Sequence, residues 1–346
     1  MDFSIASILL LDGSSNGAIY ALLALAIVLI FAVTRVIFVP QGEFAAYGAL
    51  TLAMLQAGHV PGTVYLLALL ALAVAVLDAA EALRQRRGAG RAAVAFFKPL
   101  LWPAPIVLLS LWAAPHHLPL MLQSLLALAI VTPLGPLLYR VAFQKLADAS
   151  VLVLLIVAVG VHFVMTGLGL AFFGAEGFRN PSFWDTSFTA DGVLLSGQAI
   201  IIFMVSIALM LGLWLFFERT LRGKALRATA VSRLGARLMG ISTVDAGRLS
   251  FALAAFIGAL AGLLIAPTAT MAYDSGFLIG LKGFVAAIFG GLASYPGAAL
   301  GALFVGLLES FGSFWASAFK EVIVFTAILP VLLWLSLKHG SDEGDE

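Results

Sequence analysis

ERTLRGKALRATAVSRLGARLMGISTVDAGR, residues Glu218 to Arg248, separates two apolar runs that are each long enough to cross a bilayer. From Arg219 onward it carries seven basic residues against one acid, Asp245. Two shorter basic stretches, Arg84 to Lys98 and Arg140 to Lys145, interrupt the apolar sequence in the same way. Lys and Arg are costly to carry across hydrocarbon and accumulate on the cytoplasmic side. The three stretches therefore mark one face of a polytopic membrane protein, and everything else in the chain is placed relative to them.

Composition supports this. Hydrophobic residues make up 62% of 346 positions and charged residues 11%, with a mean hydropathy of +1.09. A soluble domain needs far more charge on its surface. The net charge of +1 says little; the positions of the charges carry the information. With no Cys there is no disulfide framework and no thiolate metal site. The five His are scattered, with His116 and His117 in a turn and His162 alone on a span, so no metal centre is expected. No basic patch beyond loop charge suggests nucleic acid, and no P-loop is present, so the chain binds no nucleotide by that route. Asp2 and Asp12 stand where a cleavable signal would be basic, so the first apolar run reads as a span.

The expected spans are Asn16–Val36, Gln41–Gly58, Pro61–Leu83, Pro99–Ala114, Leu118–Leu138, Val151–Phe173, Gly192–Phe217 and Leu249–Pro267. Ala175–Asp191, acidic on balance, reads as an external loop. In the last third, Leu278–Ala293 and Pro296–Gly312 are either one bent helix or two segments meeting in a tight turn at Gly290-Gly291 and Pro296-Gly297. Val322–Leu337 follows. With two segments the fold is all-α with about eleven membrane segments, including a broken or re-entrant pair near the C-terminus. The N-terminus lies outside and the C-terminus in the cytoplasm. Residues 1–337 form one transmembrane domain, and 338–346 form a disordered acidic tail.

Small residues spaced by four, Gly258/Gly262, Gly276/Gly280 and Gly297/Gly301, suit close helix packing. The run FGGLASYPGAALG, Phe289 to Gly301, leaves backbone groups that protein or a pathway must satisfy. Glu43 and Glu309 are carboxylates within or beside spans and are expected to face protein, water or the interface, as a cap or structural ion pair. In the long basic stretch, Leu221, Ala225, Ala228, Leu234, Leu238 and Ile241 recur at helical spacing, with Gly235 and Gly240 as turning points. An amphipathic helix of this kind suits either a membrane surface or a groove on a soluble partner. An ion-coupled secondary transporter would instead call for inverted repeats and intramembrane ion-binding residues, neither of which stands out.

Four landmarks make the sequence resemble the permease subunits of branched-chain amino acid type ABC transporters. They are Asn16-Gly17 with AIYALLALAIVLIFAVTRVIFVPQGEF, YRVAFQKL (Tyr139–Leu146), GKALRATAVSRLGARLMGI (Gly223–Ile241) and AAIFGGLASYPGAALGALFVGLLES (Ala286–Ser310). The resemblance covers Asn16–Gly58 and roughly Leu118–Leu335. It implies a non-catalytic membrane subunit with no cofactor of its own, ATP and magnesium being bound by separate cytoplasmic ATPase subunits. It further implies a second permease, homologous or identical, an extracytoplasmic binding protein, and branched-chain amino acids, other amino acids, or urea and short amides as substrates.

On the same resemblance Gly223, Ala225, Arg227, Ala228, Gly240 and Ile241 couple to the ATPase, with Leu226 and Leu238 as docking side chains. Gln41, Glu43, Gly290, Gly291, Pro296 and Gly297 are pathway or gate candidates. The chain departs from the family pattern in three places. Phe38-Val39-Pro40-Gln41 replaces Asn-Phe-Ala-His, which leaves the substrate class open. Val231-Ser232 replaces an acidic pair, making the coupling surface more basic. Pro61–Ala114 reads as an inserted span pair.

Overall fold

The computed structural model describes residues 3–86, 88–116, 118–190, 193–292 and 294–333. In chain order its helices are α1 (Phe3–Thr34), α2 (Gln41–Gln56), α3 (Gly62–Arg84), α4 (Ala89–Phe97), α5 (Pro103–Ala113), α6 (Leu120–Val131), α7 (Leu134–Leu138) and α8 (Val151–Phe173). They continue with α9 (Gly197–Arg219), α10 (Leu221–Val231), α11 (Arg233–Leu238), α12 (Thr243–Ile265), α13 (Ser275–Phe289), α14 (Tyr295–Ala316) and α15 (Lys320–Thr326). The loop after α8 adds a small antiparallel hairpin, β1 (Ser187–Ala190) with β2 (Val193–Ser196), which the apolar pattern does not reveal. The acidic tail 338–346 and His117 lie outside the described residues.

The expected count of about eleven segments is not confirmed. Seven helical stretches are long and apolar enough to cross a membrane, or eight if the bent pair α4 and α5 counts as one. The difference has two physical sources. First, α2 has 16 residues and α13 has 15, or roughly 24 and 22 Å of helix, short of the ~30 Å hydrocarbon core.

Second, Tyr295–Leu333 forms one apolar stretch of 39 residues, yet it folds back on itself. Along a straight helix Glu309 and Glu321 would stand ~18 Å apart. Instead both reach Lys282 Nζ, at 2.6 and 3.1 Å. The reversal follows Ala316, whose backbone leaves the helical region at φ −150° and ψ 65°. Likewise α13 and α14 are separate helices joined by a tight turn, with Gly291 and Leu292 both at positive φ (63° and 57°).

The centre of the bundle is α1, which lies antiparallel to α14 and also packs on α12 and α13. Gly13 and Gly17 of α1 face Gly306 of α14 so closely that a Cβ on Gly306 would overlap their backbone. On the other side α2 lies against α12: a Cβ on Gly262 would run into the Ala45 carbonyl, and one on Gly48 would meet the Ala259 backbone. Lipid supplies no hydrophobic drive between helices, so such backbone approach carries the association. Each of the three four-residue glycine pairs expected from sequence sits at a helix crossing or turn of this kind.

Around this centre, α3 and the bent α4–α5 pair form an outer hairpin over residues 62–113. Arg140, in a π turn (Tyr139–Phe143) after α7, pins it. Its Nε donates to Asp78 Oδ1 at 2.7 Å and its Nη2 to Glu81 Oε2 at 2.6 Å. The glycine crossings give a direct expectation. Gly262→Ala costs about 1–3 kcal/mol through overpacking, read as a lower thermal midpoint in detergent. Gly167→Ala, where a Cβ meets nothing within 4 Å, leaves the midpoint unchanged or slightly raised by helix propensity.

Candidate functional site

Two regions bring the candidate residues together, one at the basic end of the bundle and one at its middle. At the basic end, Thr220, Ser232 and Ser242 each start a helix by accepting a backbone N–H three residues on: from Gly223 (2.9 Å), Gly235 (3.0 Å) and Asp245 (3.2 Å). These N-caps fold the stretch into α10 and α11, with Gly240 at φ 78° closing α11. Gly235, read as a turning point, is instead helical.

The unit is fastened down on both sides. Leu226, only 1% exposed, packs with Leu29, Val33 and Ala246. Gly223 lies against the backbone of Phe216 and Phe217 with no room for a Cβ. Arg233 Nη1 donates to Ala147 O at 2.7 Å, Arg237 pairs with Asp148 at 2.9 Å, and Arg248 Nη2 reaches Gln144 Oε1 at 3.0 Å. Arg227 pairs with Glu218. Much of the basic charge is therefore spent on internal staples rather than left for a partner. Five apolar residues face outward, Leu221, Val231, Leu234, Leu238 and Met239, between 70% and 86% exposed, beside the exposed Arg222 and Lys224.

The Gly290–Gly297 turn lies at this same end. A Cβ on Gly290 would meet Ala298 N and Ser294 O at 2.6 Å, and Ser294 Oγ caps α14 by accepting from Gly297 N at 3.2 Å. Tyr295, next to Pro296, stacks on Phe217 with centroids 5.8 Å apart. A cleft of 420 Å³ runs between them, lined in part by Leu25, Leu29, Phe217, Arg227, Tyr295 and Pro296. The glycines of this turn are required by its geometry, and the turn is in contact with the helix that leads into α10.

At mid-depth the polar groups are buried. Gln41 Nε2 donates to the carbonyl of Ala254, midway along α12, at 2.9 Å. Glu43 Oε1 lies 3.0 Å from Nδ1 of His162, midway along α8. The His162 ring is 4.9 Å from that of Phe277, in the first turn of α13. The chain thus dips back after Arg35 (φ 62°), and α2 begins inside the bundle. Phe38, standing where the family has Asn, is buried against Phe44, Phe143 and Phe251.

A family profile described as branched-chain amino acid transport system / permease component matches residues 9–335. The chain belongs to this permease family. It is 32% identical over 225 residues to the high-affinity branched-chain amino acid transport system permease protein BraD of Pseudomonas aeruginosa, covering 62% of this chain and 73% of the relative. It is 29% identical over 214 residues to the corresponding protein LivH of Escherichia coli K12, covering 60% and 70%. A probable permease LivH of Methanocaldococcus jannaschii is 31% identical over 134 residues, 38% of this chain and 42% of that one. No solved structure matches. Its apolar helices and its relatives make it a multi-pass inner-membrane protein.

Within the permease, the structure gathers Gly223, Ala225, Leu226, Arg227, Ala228, Leu238, Gly240 and Ile241 in one unit, but it turns Leu226 inward, against α1 and α12. Met239 and Val231 share the outer face and were missed, because helical spacing gives a period without saying which side the bundle covers. Of the pathway candidates, Gln41 and Glu43 meet at mid-depth, whereas Gly290, Gly291, Pro296 and Gly297 sit at the basic end. Two buried groups went unread: His162, whose partner is distant in sequence, and Lys282. The latter pairs with Glu309; a lone cation in the run Leu278–Ala293 was its signal.

The inward turn of Leu226 is directly testable. Leu226→Ala costs about 2–5 kcal/mol and lowers the thermal midpoint of the isolated permease, whereas Leu238→Ala leaves it within error.

Proposed function

We propose that this permease is the membrane subunit of an ATP-driven importer. It carries branched-chain or other amino acids from an external binding protein to the cytoplasm. Its orientation places the basic stretches, α10 and α11 in the cytosol and the N-terminus outside. It works with a second permease, homologous or identical, and with two ATPase subunits that hold ATP and magnesium. The relatives' names, which specify branched-chain amino acid transport, support the substrate class.

The observation that carries the reading is the exposed apolar face of α10 and α11 on a capped, stapled unit. A connector would not need three N-caps and three arginine staples, and an apolar face at the basic end calls for a partner. The partner's groove receives Leu234, Leu238 and Met239. Movement of that groove reaches the bundle through Leu226, packed on α1, and through Phe217, stacked on Tyr295. Coupling is thereby mechanical: a rigid unit tilts, and the α13–α14 turn is displaced with it.

Charging the outer face tests this. Leu238→Asp combined with Met239→Asp reduces co-purification of the ATPase subunit by about tenfold or more, since buried apolar anchors dominate such interfaces. The permease itself keeps its thermal midpoint and membrane insertion. Full retention of the ATPase by the double variant refutes docking through this face. Orientation is checked separately: a cysteine at Leu238 in this Cys-free chain is labelled by impermeant reagents only from the cytoplasmic side.

A further inference from the structure

We propose that Glu43 receives the ammonium group of the transported amino acid half-way across the bilayer, with His162 and Thr166 positioning it. This rests on the amino-acid import reading above and assigns that reading its binding subsite.

Four observations converge on the point. The first is depth. The contacts of Gln41 with Ala254 and of Glu43 with His162 place the start of α2 at the midpoints of α12 and α8. The Phe277–His162 ring contact places the start of α13 there too. The two short helices run away from one another, α2 towards the loop-rich end and α13 towards the basic end. Gly42, Gly276 and Gly280 let their first turns touch: a Cβ on Gly276 would meet Glu43 Oε2 and the Gly42 carbonyl at 2.8 Å.

The second is unmet charge. Glu43 is fully buried, and its side-chain neighbours are His162, whose Nδ1 lies 3.0 Å from Oε1, and the Thr166 hydroxyl one turn further along α8. Neither is a Lys or Arg, and Gln41 Oε1 close by has no hydrogen-bond partner.

The third is an internal comparison. Where this chain uses a buried carboxylate structurally, it satisfies it: Glu309 takes Lys282 Nζ at 2.6 Å and the Tyr20 hydroxyl. A buried carboxylate without a fixed cation beside it is costly, and the complement Glu43 lacks is a compact cation with several N–H donors. An ammonium group supplies three.

The fourth is access and polarity of the surroundings. His162, beside Glu43, has ring contacts with Phe163 and Phe277, which are 69% and 40% exposed, so this side of the pair lies near the bundle surface. The N-terminal ends of α2 and α13 bring partial positive charge to the same place, which suits the carboxylate half of a zwitterion. Neutral urea or a short amide offers N–H donors but no positive charge to offset a buried carboxylate.

The test uses the complete importer in proteoliposomes with radiolabelled leucine and, in parallel, acetamide. Wild-type uptake of acetamide without leucine overturns the amino-acid reading itself, whatever Glu43 does. With leucine carried by wild type, Glu43→Gln is expected to lower its uptake about tenfold or more, the loss of a charge-assisted bond, while ATPase assembly and thermal midpoint hold. Undiminished leucine uptake overturns the subsite and leaves the importer reading intact.

A second arm keeps Glu43 in place and so does not depend on that variant folding. Thr166→Cys should react faster with cationic aminoethyl methanethiosulfonate than with the anionic sulfonatoethyl reagent, and receptor-delivered leucine should slow the reaction. No charge preference together with no protection overturns the proposal.

Discussion

The structure depends on backbone-to-backbone approach at glycine, above all where α2 meets α12 and α13. An N-terminus in the middle of a membrane bundle exposes N–H groups that lipid cannot satisfy. It is tolerable only when protein encloses it. Gly42, Gly48, Gly258, Gly262, Gly276 and Gly280 provide that enclosure by removing the side chains that would hold the helices apart. A single methyl at several of these positions would overlap main-chain atoms, which cannot move aside as a flexible side chain can. The buried start of α2, and with it the placement of Glu43 and Gln41, follows from this packing.

The unit of α10 and α11 obeys a different logic. Its helices are short and carry modest intrinsic stability, so capping and tertiary contacts hold them. Three hydroxyl caps set where α10, α11 and α12 begin, and arginines tie the unit to the segment after the π turn. Leu226 joins it to α1. The result is a small body fixed on its inner side and apolar on its outer side, which is what transmission of force between two proteins requires. The adjoining Tyr295–Phe217 stack connects the same region to the α13–α14 turn.

Much of this was legible in the sequence. Charge position located the basic face, apolar length located the long helices, and helical spacing identified the helical unit of α10 and α11. Three kinds of information were not. Periodicity cannot tell the covered side of a helix from the open one, which is why Leu226 was read as a docking side chain and Met239 was passed over. Length near the crossing threshold cannot separate a full span from a half-helix: Gln41–Gly58 looks like a short span until its first residues are seen against mid-helix atoms of α8 and α12. Pairings across the chain, Glu43 with His162 and Lys282 with Glu309, exist only once the helices are arranged. Phe38 belongs with them, since its departure from the family pattern is explained by three aromatic neighbours from other segments.

The Lys282 cluster also bears on how the protein is made. Lys282 leaves the ribosome before Glu309 and Glu321 have been synthesised, on a helix of only 15 residues. A lysine near the middle of a membrane helix costs about 3 kcal/mol to insert. Alone in the translocation channel, α13 is therefore a poor candidate for release into lipid. It becomes acceptable once α14 arrives with its carboxylate, so the pair partitions as a hairpin, and α15 completes the neutralisation as it emerges.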